Sequence, residues 1–368
     1  MEPYVPNTLP FEDLDYKRLI SLVGEANAEL ARYDGKLGSI VNPAILLSPL
    51  TTQEAVLSSR IEGTQASLDE VLEHEAGQLS TDPDKTHDIQ EILNYRRVLR
   101  LASDTLKDRP LSLGLLQQMH KILMDSVRGQ TKTPGEFRKN QNWIGPRGCS
   151  IEEATFVPPT PMRLLDHLQN WEAYTQGEDI DVLIQAAVIH AQFEVIHPFR
   201  DGNGRIGRLL IPLHLYCKHA LSSPMFYLSE YLEANRDEYY RRLQGISQNN
   251  QWNEWIIYFL GAVAQQAKRN TEKVVTILTL YEEMKKRIRA LTHSQYSIQL
   301  LDAIFYRPIF RTNEFIERSG IPKPTGLRML RQLKEHATLE TIREGAGSRP
   351  PILLFPELLN IVEGRDVF

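Results

Sequence analysis

The sequence predicts a mainly α-helical protein with one small β-hairpin near its middle and a winged helix-turn-helix at its C-terminal end. Apolar residues recur at spacings of three and four over most of the chain, as in helices buried on one side. Two capping-box matches mark helix starts near the N-terminus. Runs of β-type residues are confined to two places, 142–157 and 339–355.

Residues 1–15 carry three prolines and read as an extended arm. From Tyr16 onward, Leu19, Leu22, Val23, Ala26 and Leu30 form an apolar stripe. Thr51-Thr52-Gln53-Glu54 matches a capping box, with Thr51 as N-cap and Glu54 at N3. The helix it starts should reach about Glu62 and stop at Gly63. Ser67-Leu68-Asp69-Glu70 starts another helix, and residues 77–87 read as a polar loop. Residues 88–126 read as two helices broken at Asp108-Arg109-Pro110. Periodicity stops over 127–162, where NWIG and ATFV flank PRGCS as a hairpin. Helical patterns return at 162–175, 180–196, 205–219, 235–247 and 251–290. Beyond 295, Tyr296–Tyr306, Arg311–Arg318 and Pro324–His336 read as three helices, the last with Leu327, Leu330 and Leu333 inward. Two strands around a Gly/Ser/Arg/Pro loop follow, completing the winged helix-turn-helix pattern. The expected division is an N-terminal helical region 1–87, a core 88–270, a linker helix 271–294 and the winged helix 295–368.

The 368 residues are 42% apolar and 24% charged, which excludes a wholly disordered chain. A net charge of −5 gives no bulk attraction to nucleic acid. Cys149 and Cys217 form no C-x-x-C pair or disulfide framework, consistent with a reducing compartment. No basic, apolar leader and no run of 18 apolar residues occurs, so the expectation is a cytoplasmic protein with no membrane partner.

One segment concentrates chemistry: His197-Pro-Phe-Arg-Asp-Gly-Asn-Gly-Arg-Ile-Gly-Arg208. Pro198 disfavours helical geometry at His197, which places the imidazole at the start of a loop. Gly202 and Gly204 let the backbone turn tightly and feed a helix, whose first N–H groups bind anions. Arg205 and Arg208 add two cationic forks for phosphate oxygens. Asp201 is a candidate Mg²⁺ ligand and His197 a candidate general base. Together these residues suit nucleotide phosphate transfer. GNGRIG also matches the dinucleotide fingerprint, but that motif needs a preceding strand, and a helical pattern stands there. His190, Glu194 and His197 have the i, i+4, i+7 spacing of metal ligands, without an H-E-x-x-H motif. A purely structural loop accounts poorly for so dense a set of His, Asp, Gly, Asn and Arg.

HPFRDGNGRIGR matches H-P-F-x-[D/E]-G-N-G-R-x-x-R at every specified position, so the chain resembles the Fic (filamentation induced by cAMP) family. PGEFR, NWIG, the Phe-Val-Pro-Pro segment and LSEYLEANRDEYY look like further family features. The resemblance implies a helical core with a hairpin flap, and transfer of AMP from ATP to a Ser, Thr or Tyr hydroxyl of a target protein, with Mg²⁺. His197 would take the hydroxyl proton, and Asp201 would hold Mg²⁺. Gly202, Asn203, Gly204, Arg205, Ile206, Gly207 and Arg208 would bind ATP, together with Thr155, Phe156 and Tyr239, Tyr240 being the fallback for Tyr239. Phe199 would anchor the loop.

Ser58-Ser59-Arg60-Ile61-Glu62-Gly63 fits [S/T]-x-x-x-E-[G/N], the family's inhibitory motif, on a helix N-terminal to the core. The resemblance therefore implies an inhibitory role for Ser58 and Glu62, with Glu62 paired to Arg208. Gly204 argues against the phosphorylating Doc branch, which has Lys there. Other donors, and removal of AMP by the same glutamate, stay open. Further expected partners are the protein itself, through self-modification, and a second copy in a homodimer. DNA is a partner of the C-terminal module in the alternative reading of a DNA-binding regulator. Residues 296–368 balance ten Lys/Arg against nine Asp/Glu, but Arg328, Arg331 and Lys334 cluster on the third helix, with Arg343 and Arg349 in the wing.

Overall fold

The computed structural model describes residues 2–127, 132–146, 148–346 and 349–367. Its helices run α1 (Tyr16–Gly38), α2 (Pro43–Leu46), α3 (Ser48–Ile61), α4 (Leu68–Glu75), α5 (Pro83–Thr105), α6 (Leu113–Leu123), α7 (Leu164–Gln176), α8 (Val182–Ile196), α9 (Asn203–Cys217), α10 (Ser229–Ala234), α11 (Arg236–Asn249) and α12 (Trp252–Thr292). The C-terminal part adds α13 (Ser297–Tyr306), α14 (Thr312–Ser319), α15 (Lys323–Glu335) and α16 (Pro356–Glu363). Strands β1 (Ile309–Arg311), β2 (Glu340–Arg343) and β3 (Ile352–Leu354) pair antiparallel in the order β1-β3-β2. Among the described residues no helix is long and apolar enough to cross a membrane.

Helix α8 is apolar on every side, and only Val182 and Glu194 escape burial, so it lies at the centre of the core. Asp181 caps it by accepting from the N–H groups of Leu183 and Ile184 at 2.8 and 3.2 Å. Helix α9 packs along α8, and α12 packs against α1, α8 and α11. Helix α12 is 41 residues long and runs unbroken through position 270, where a domain boundary was expected. Asn270 is buried there and donates to the Tyr227 carbonyl at 3.3 Å.

Several local expectations change. Helix α3 starts at Ser48 rather than after Thr51, because Pro49 occupies a first-turn position where its missing N–H costs nothing. Thr51 is therefore inside the helix, and its hydroxyl meets the Leu47 carbonyl and the Tyr227 hydroxyl. Glu54 does not cap; it accepts from the Ser229 hydroxyl at 2.6 Å and the Ser229 N–H at 3.0 Å, docking α3 onto α10. The Ser67 capping box forms as read, with Glu70 Oε2 accepting from the Ser67 N–H at 3.0 Å. The loop after α4 is shorter than 77–87, since Asp82 and Pro83 start α5. The central hairpin reduces to one antiparallel bridge, Ile144 to Phe156, because a 3₁₀ turn at Ile151–Glu153 fills the connection. Arg147 of PRGCS lies outside the described residues, as do Gly347 and Ser348 of the C-terminal loop.

In the C-terminal part, Leu327 faces outward and Gly326, Met329, Leu330 and Leu333 form the inner face of α15. Strand β1 and helices α2, α10 and α16 are too short to have shown a period. The C-terminal part leans on the N-terminal helices. Arg307 pairs with Glu75 at 3.6 Å, Arg311 donates to the Gly77 carbonyl, and α13 and α16 pack against α3. Helix α3 is thus enclosed, with only Thr51 and Arg60 escaping burial.

Candidate active site

Helix α8 ends at His197, which takes the left-handed conformation (φ 49°) before Pro198. Such a backbone costs a non-glycine residue about 1–3 kcal/mol and persists only where surroundings enforce it. Arg138, from PGEFR, supplies that enforcement. Its Nε donates to the His197 carbonyl at 2.9 Å, and Nη2 donates to the Pro159 and Ile196 carbonyls at 2.5 and 3.3 Å. Phe199 is buried and stacked on His120, with centroids 3.8 Å apart. His120 Nδ1 accepts from the Gly135 N–H at 2.9 Å, so Nε2 carries the proton and donates to the Asp201 carbonyl at 3.0 Å. Asn203 closes the loop with its amide, accepting from the Phe199 N–H at 2.8 Å and donating to the Phe199 carbonyl at 2.9 Å. Its side chain is therefore spent on the loop. Gly202 turns into α9 with φ 76°, a conformation that favours glycine. His120 and Arg138 were not singled out by sequence; PGEFR was the sole signal for Arg138, and His120 had none.

His197 Nδ1 lies 3.3 Å from the Glu194 carbonyl, so the proton sits on Nδ1 and Nε2 is left as a free base. Burial, aided by the Arg138 charge, lowers its pKa to about 4 against the pull of the Glu194 carbonyl, so the ring is neutral at pH 7. Asp201 accepts from Lys132 at 2.6 Å and from the Gly202 N–H at 2.7 Å. Burial works against its ionisation, but Lys132 and Arg205 outweigh burial and hold the carboxyl below its usual range. Among the described residues no cluster of three metal-ligating side chains occurs. A single carboxylate beside an anion-binding helix start still fits Mg²⁺, which is held by one or two carboxylates plus substrate phosphates.

The remaining motif residues separate into two groups. Arg205 is buried and its fork goes to Glu91 on α5 at 2.7 Å, with Asp201 3.8 Å away. Ile206 points into the core. Arg208 is buried and bound by the helix α3 motif. Its Nε donates to Ser58 Oγ at 2.8 Å, and Nη2 donates to the Ser58 carbonyl at 2.8 Å and to Glu62 Oε1 at 2.7 Å. Burial opposes ionisation of Glu62, but the Arg208 charge wins and lowers its pKa. A Cβ on Gly204 would overlap Glu62 Oε1, so this approach requires glycine there. The two sequence motifs thus meet in one ion pair, between Glu62 and Arg208, 146 residues apart.

A cavity of about 320 Å³ opens beside the loop, lined by Ile144, Thr155 and Phe156 on one side and Tyr240 and Leu243 on the other. Thr155 and Phe156, both expected at a ligand site, stand in its first wall. Tyr239 is not in this wall; it is buried, and its hydroxyl donates to His190 Nε2 at 2.9 Å. Tyr240, the fallback, lines the cavity. His190 also donates through Nδ1 to the Gly207 carbonyl at 2.9 Å, so both ring nitrogens are occupied and the zinc reading fails. The dinucleotide reading fails too, because a helix precedes GNGRIG.

The buried ionisable groups set a pH dependence. Burial lowers His120 and His190 to about 4 and His214 to about 3, in line with His197. Burial raises Glu54 to about 7 and Glu194 to about 8. The histidines bind more protons when unfolded, so their contribution to stability grows as pH rises from about 4 to 6.5. The two carboxyls contribute fully below their unfolded pKa of 4.5, and that contribution is lost as pH climbs through 7 and 8. Stability should therefore peak near pH 6.5 and fall toward pH 8, and Glu54→Gln should flatten the fall. Urea midpoints rising steadily to pH 8.5 would contradict this assignment.

Profile comparison matches residues 20–104 to the Fic/DOC family N-terminal region and residues 110–215 to the Fic/DOC family, together more than half of the chain. A probable protein adenylyltransferase of Aquifex aeolicus is 29% identical over 200 residues, covering 52% of this chain and 56% of that protein. Protein adenylyltransferase Fic of Aedes aegypti is 28% identical over 210 residues, covering 55% of this chain and 37% of that protein. The match thus spans about half, or less, of these relatives. A Fic family protein from Desulfovibrio desulfuricans superposes with a TM-score of 0.56 at 18% identity, over 96% of this chain and 98% of that one. Fic-1 of C. elegans gives 0.55 at 18% identity, over 71% and 74%. At such identities the structural likeness speaks for the fold alone. With the motif intact and both profiles matched in order, the chain belongs to the Fic/DOC family.

Proposed function

We propose that the chain is a protein adenylyltransferase held in check by Glu62. The observation that carries this reading is a neutral His197 with a free Nε2 beside the N-terminus of α9, where Arg208 is already paired with Glu62. The target hydroxyl oxygen attacks the α-phosphorus of ATP and its proton passes to His197 Nε2. The bond to the β-phosphate oxygen breaks and pyrophosphate leaves. The N–H groups at the start of α9 face the α-phosphate, and the helix dipole favours its charge. Asp201 would hold Mg²⁺, which neutralises phosphate charge when bound. The bridge at Ile144 and Phe156 presents an edge to which an extended target segment can add. The names of the Aquifex and Aedes relatives support the same reaction.

Purified protein incubated with α-labelled ATP, alone and with lysate, should yield labelled bands whose modified peptides carry AMP. Absence of any nucleotide adduct at all Mg²⁺ concentrations would overturn the reading. Lys132 competes for the Asp201 carboxylate, so Lys132→Ala should lower the Mg²⁺ concentration giving half-maximal labelling by severalfold. Asp201→Ala should raise it and reduce turnover. Equal labelling in excess EDTA would remove Asp201 from metal binding.

A second reading concerns the C-terminal part, read as a winged helix. Arg328, Arg331 and Lys334 all lie exposed on the outer face of α15. That face suits the phosphates of DNA. A filter-binding titration should then show affinity falling steeply with salt; weak binding insensitive to salt would discard this reading.

A further inference from the structure

The arm before α1 contains no helix or strand over residues 2–15, yet it is tied down at several points. Leu9 is buried, and the Asn170 amide on α7 holds its N–H and its carbonyl, each at 2.9 Å. The Asn7 carbonyl accepts from Gln192 on α8 at 2.7 Å, and the Asn7 side chain accepts from the indole N–H of Trp252 on α12 at 3.3 Å. Phe11 packs on the Trp252 ring, with centroids 4.5 Å apart. Terminal segments stay ordered only when anchored in this way. From these anchors the arm reaches the bridge between Ile144 and Phe156. The Tyr4 N–H donates to the Val157 carbonyl at 2.8 Å, and the Tyr4 and Phe156 ring centroids lie 5.8 Å apart.

Register gives this contact a direction. Ile144 and Phe156 exchange both backbone bonds, at 2.8 and 3.1 Å, so their polar groups point toward each other. The groups of the next residues along each strand point away. Val157 thus offers its carbonyl on the far edge, and Tyr4 takes it. On the opposite edge Trp143 and Gly145 are exposed, and among the described residues no backbone group bonds to theirs. A two-stranded hairpin alone is marginal in water, and a further extended segment steadies it. We propose that Tyr4 is a positioning residue: it holds the bridge from behind, so that an extended segment of a target protein adds to the free 143–145 edge. This rests on the transferase reading above. Strand addition draws its affinity from main-chain bonds, so an edge that is held in place serves targets of differing sequence.

The test uses the full chain carrying Glu62→Gly as parent, with α-labelled ATP and the proteins of a cell lysate as acceptors. Tyr4→Pro removes the donated N–H and the ring together. Tyr4→Phe keeps both and loses only the hydroxyl, which donates to Asn7 within the arm. Tyr4→Pro should lower protein labelling about tenfold, because a displaced acceptor reacts slowly. Amide exchange at Ile144 and Phe156 should quicken by about the same factor. ATP affinity by calorimetry should hold within about twofold, since phosphates bind at the start of α9 and the arm's anchors are on α7, α8 and α12. Tyr4→Phe should restore the parent's behaviour in all three readouts. Trp143→Pro, which removes an N–H from the free edge, should label about tenfold less than Trp143→Phe, which keeps it. Native labelling or native exchange in Tyr4→Pro would overturn the proposal. So would a loss of ATP affinity as deep as the loss of labelling, or equal labelling by the two Trp143 variants. A parent chain that labels no protein would sink the transferase reading itself, an outcome distinct from parent labelling that Tyr4→Pro leaves unchanged.

Discussion

Replacing His197 with alanine is expected to cut AMP transfer by about 10²–10⁴-fold, the usual contribution of a positioned general base. ATP binding should change little. The α9 N-terminus, Asn203 and the Arg138 contacts all act through the loop backbone, and His197 itself makes no side-chain contact that shapes the phosphate site. Alanine also tolerates the left-handed backbone no worse than histidine by more than a fraction of the roughly 1–3 kcal/mol such a conformation costs. The readouts are initial labelling rate and nucleotide affinity, measured on the same preparation. Retained labelling would take His197 out of the reaction.

Glu62→Gly should raise self-labelling and target labelling at least tenfold, which corresponds to about 1.4 kcal/mol of barrier. In the closed arrangement Glu62 holds one fork of Arg208 and lies over Gly204, where an incoming γ-phosphate would meet a carboxylate. ATP that enters beside it would sit displaced, and about 1 Å of misplacement can cost around 10²-fold in rate. The fold should survive the change. Glu62 is the C-cap of α3, next to Gly63, and glycine near a helix end costs at most about 1 kcal/mol. Arg208 is not stranded either, because the Ser58 hydroxyl and carbonyl still accept from it. The double variant with His197→Ala should be silent. A folded Glu62→Gly protein with native labelling across ATP and Mg²⁺ concentrations would leave Glu62 as an ordinary ion-pair partner.

How much of this was legible in the sequence depended on length and period. Helices such as α8 and α12 carry long apolar patterns and were read within a few residues at both ends, and α1 at its start. Strand β1 and helix α10 are too short for a period to register. The capping-box reading of Thr51-Glu54 failed because the same residue types serve two ends. A glutamate at N3 and a glutamate buried against Ser229 look alike until tertiary contacts choose between them. In the site, the dense motif marked the loop and the place of His197 at its start, but not which side chains are already engaged by other elements. Arg205 resembles Arg208 in sequence, yet Glu91 on α5 claims it. Tyr239 and Tyr240 are adjacent, and one residue of helical rotation decides which meets His190 and which lines the cavity. Glu194 drew attention only as a metal ligand, because a lone carboxyl on an apolar helix reveals its unpaired state only when the helix is packed.

The account turns on which phosphorus of ATP is attacked. The most direct test is parallel incubation of the Glu62→Gly chain with ATP labelled at the α-position or at the γ-position, followed by mass analysis of the modified protein. Label should remain on protein only from the α-position, with an AMP mass added and pyrophosphate released. Label retained from the γ-position, with a single phosphate added, would contradict it.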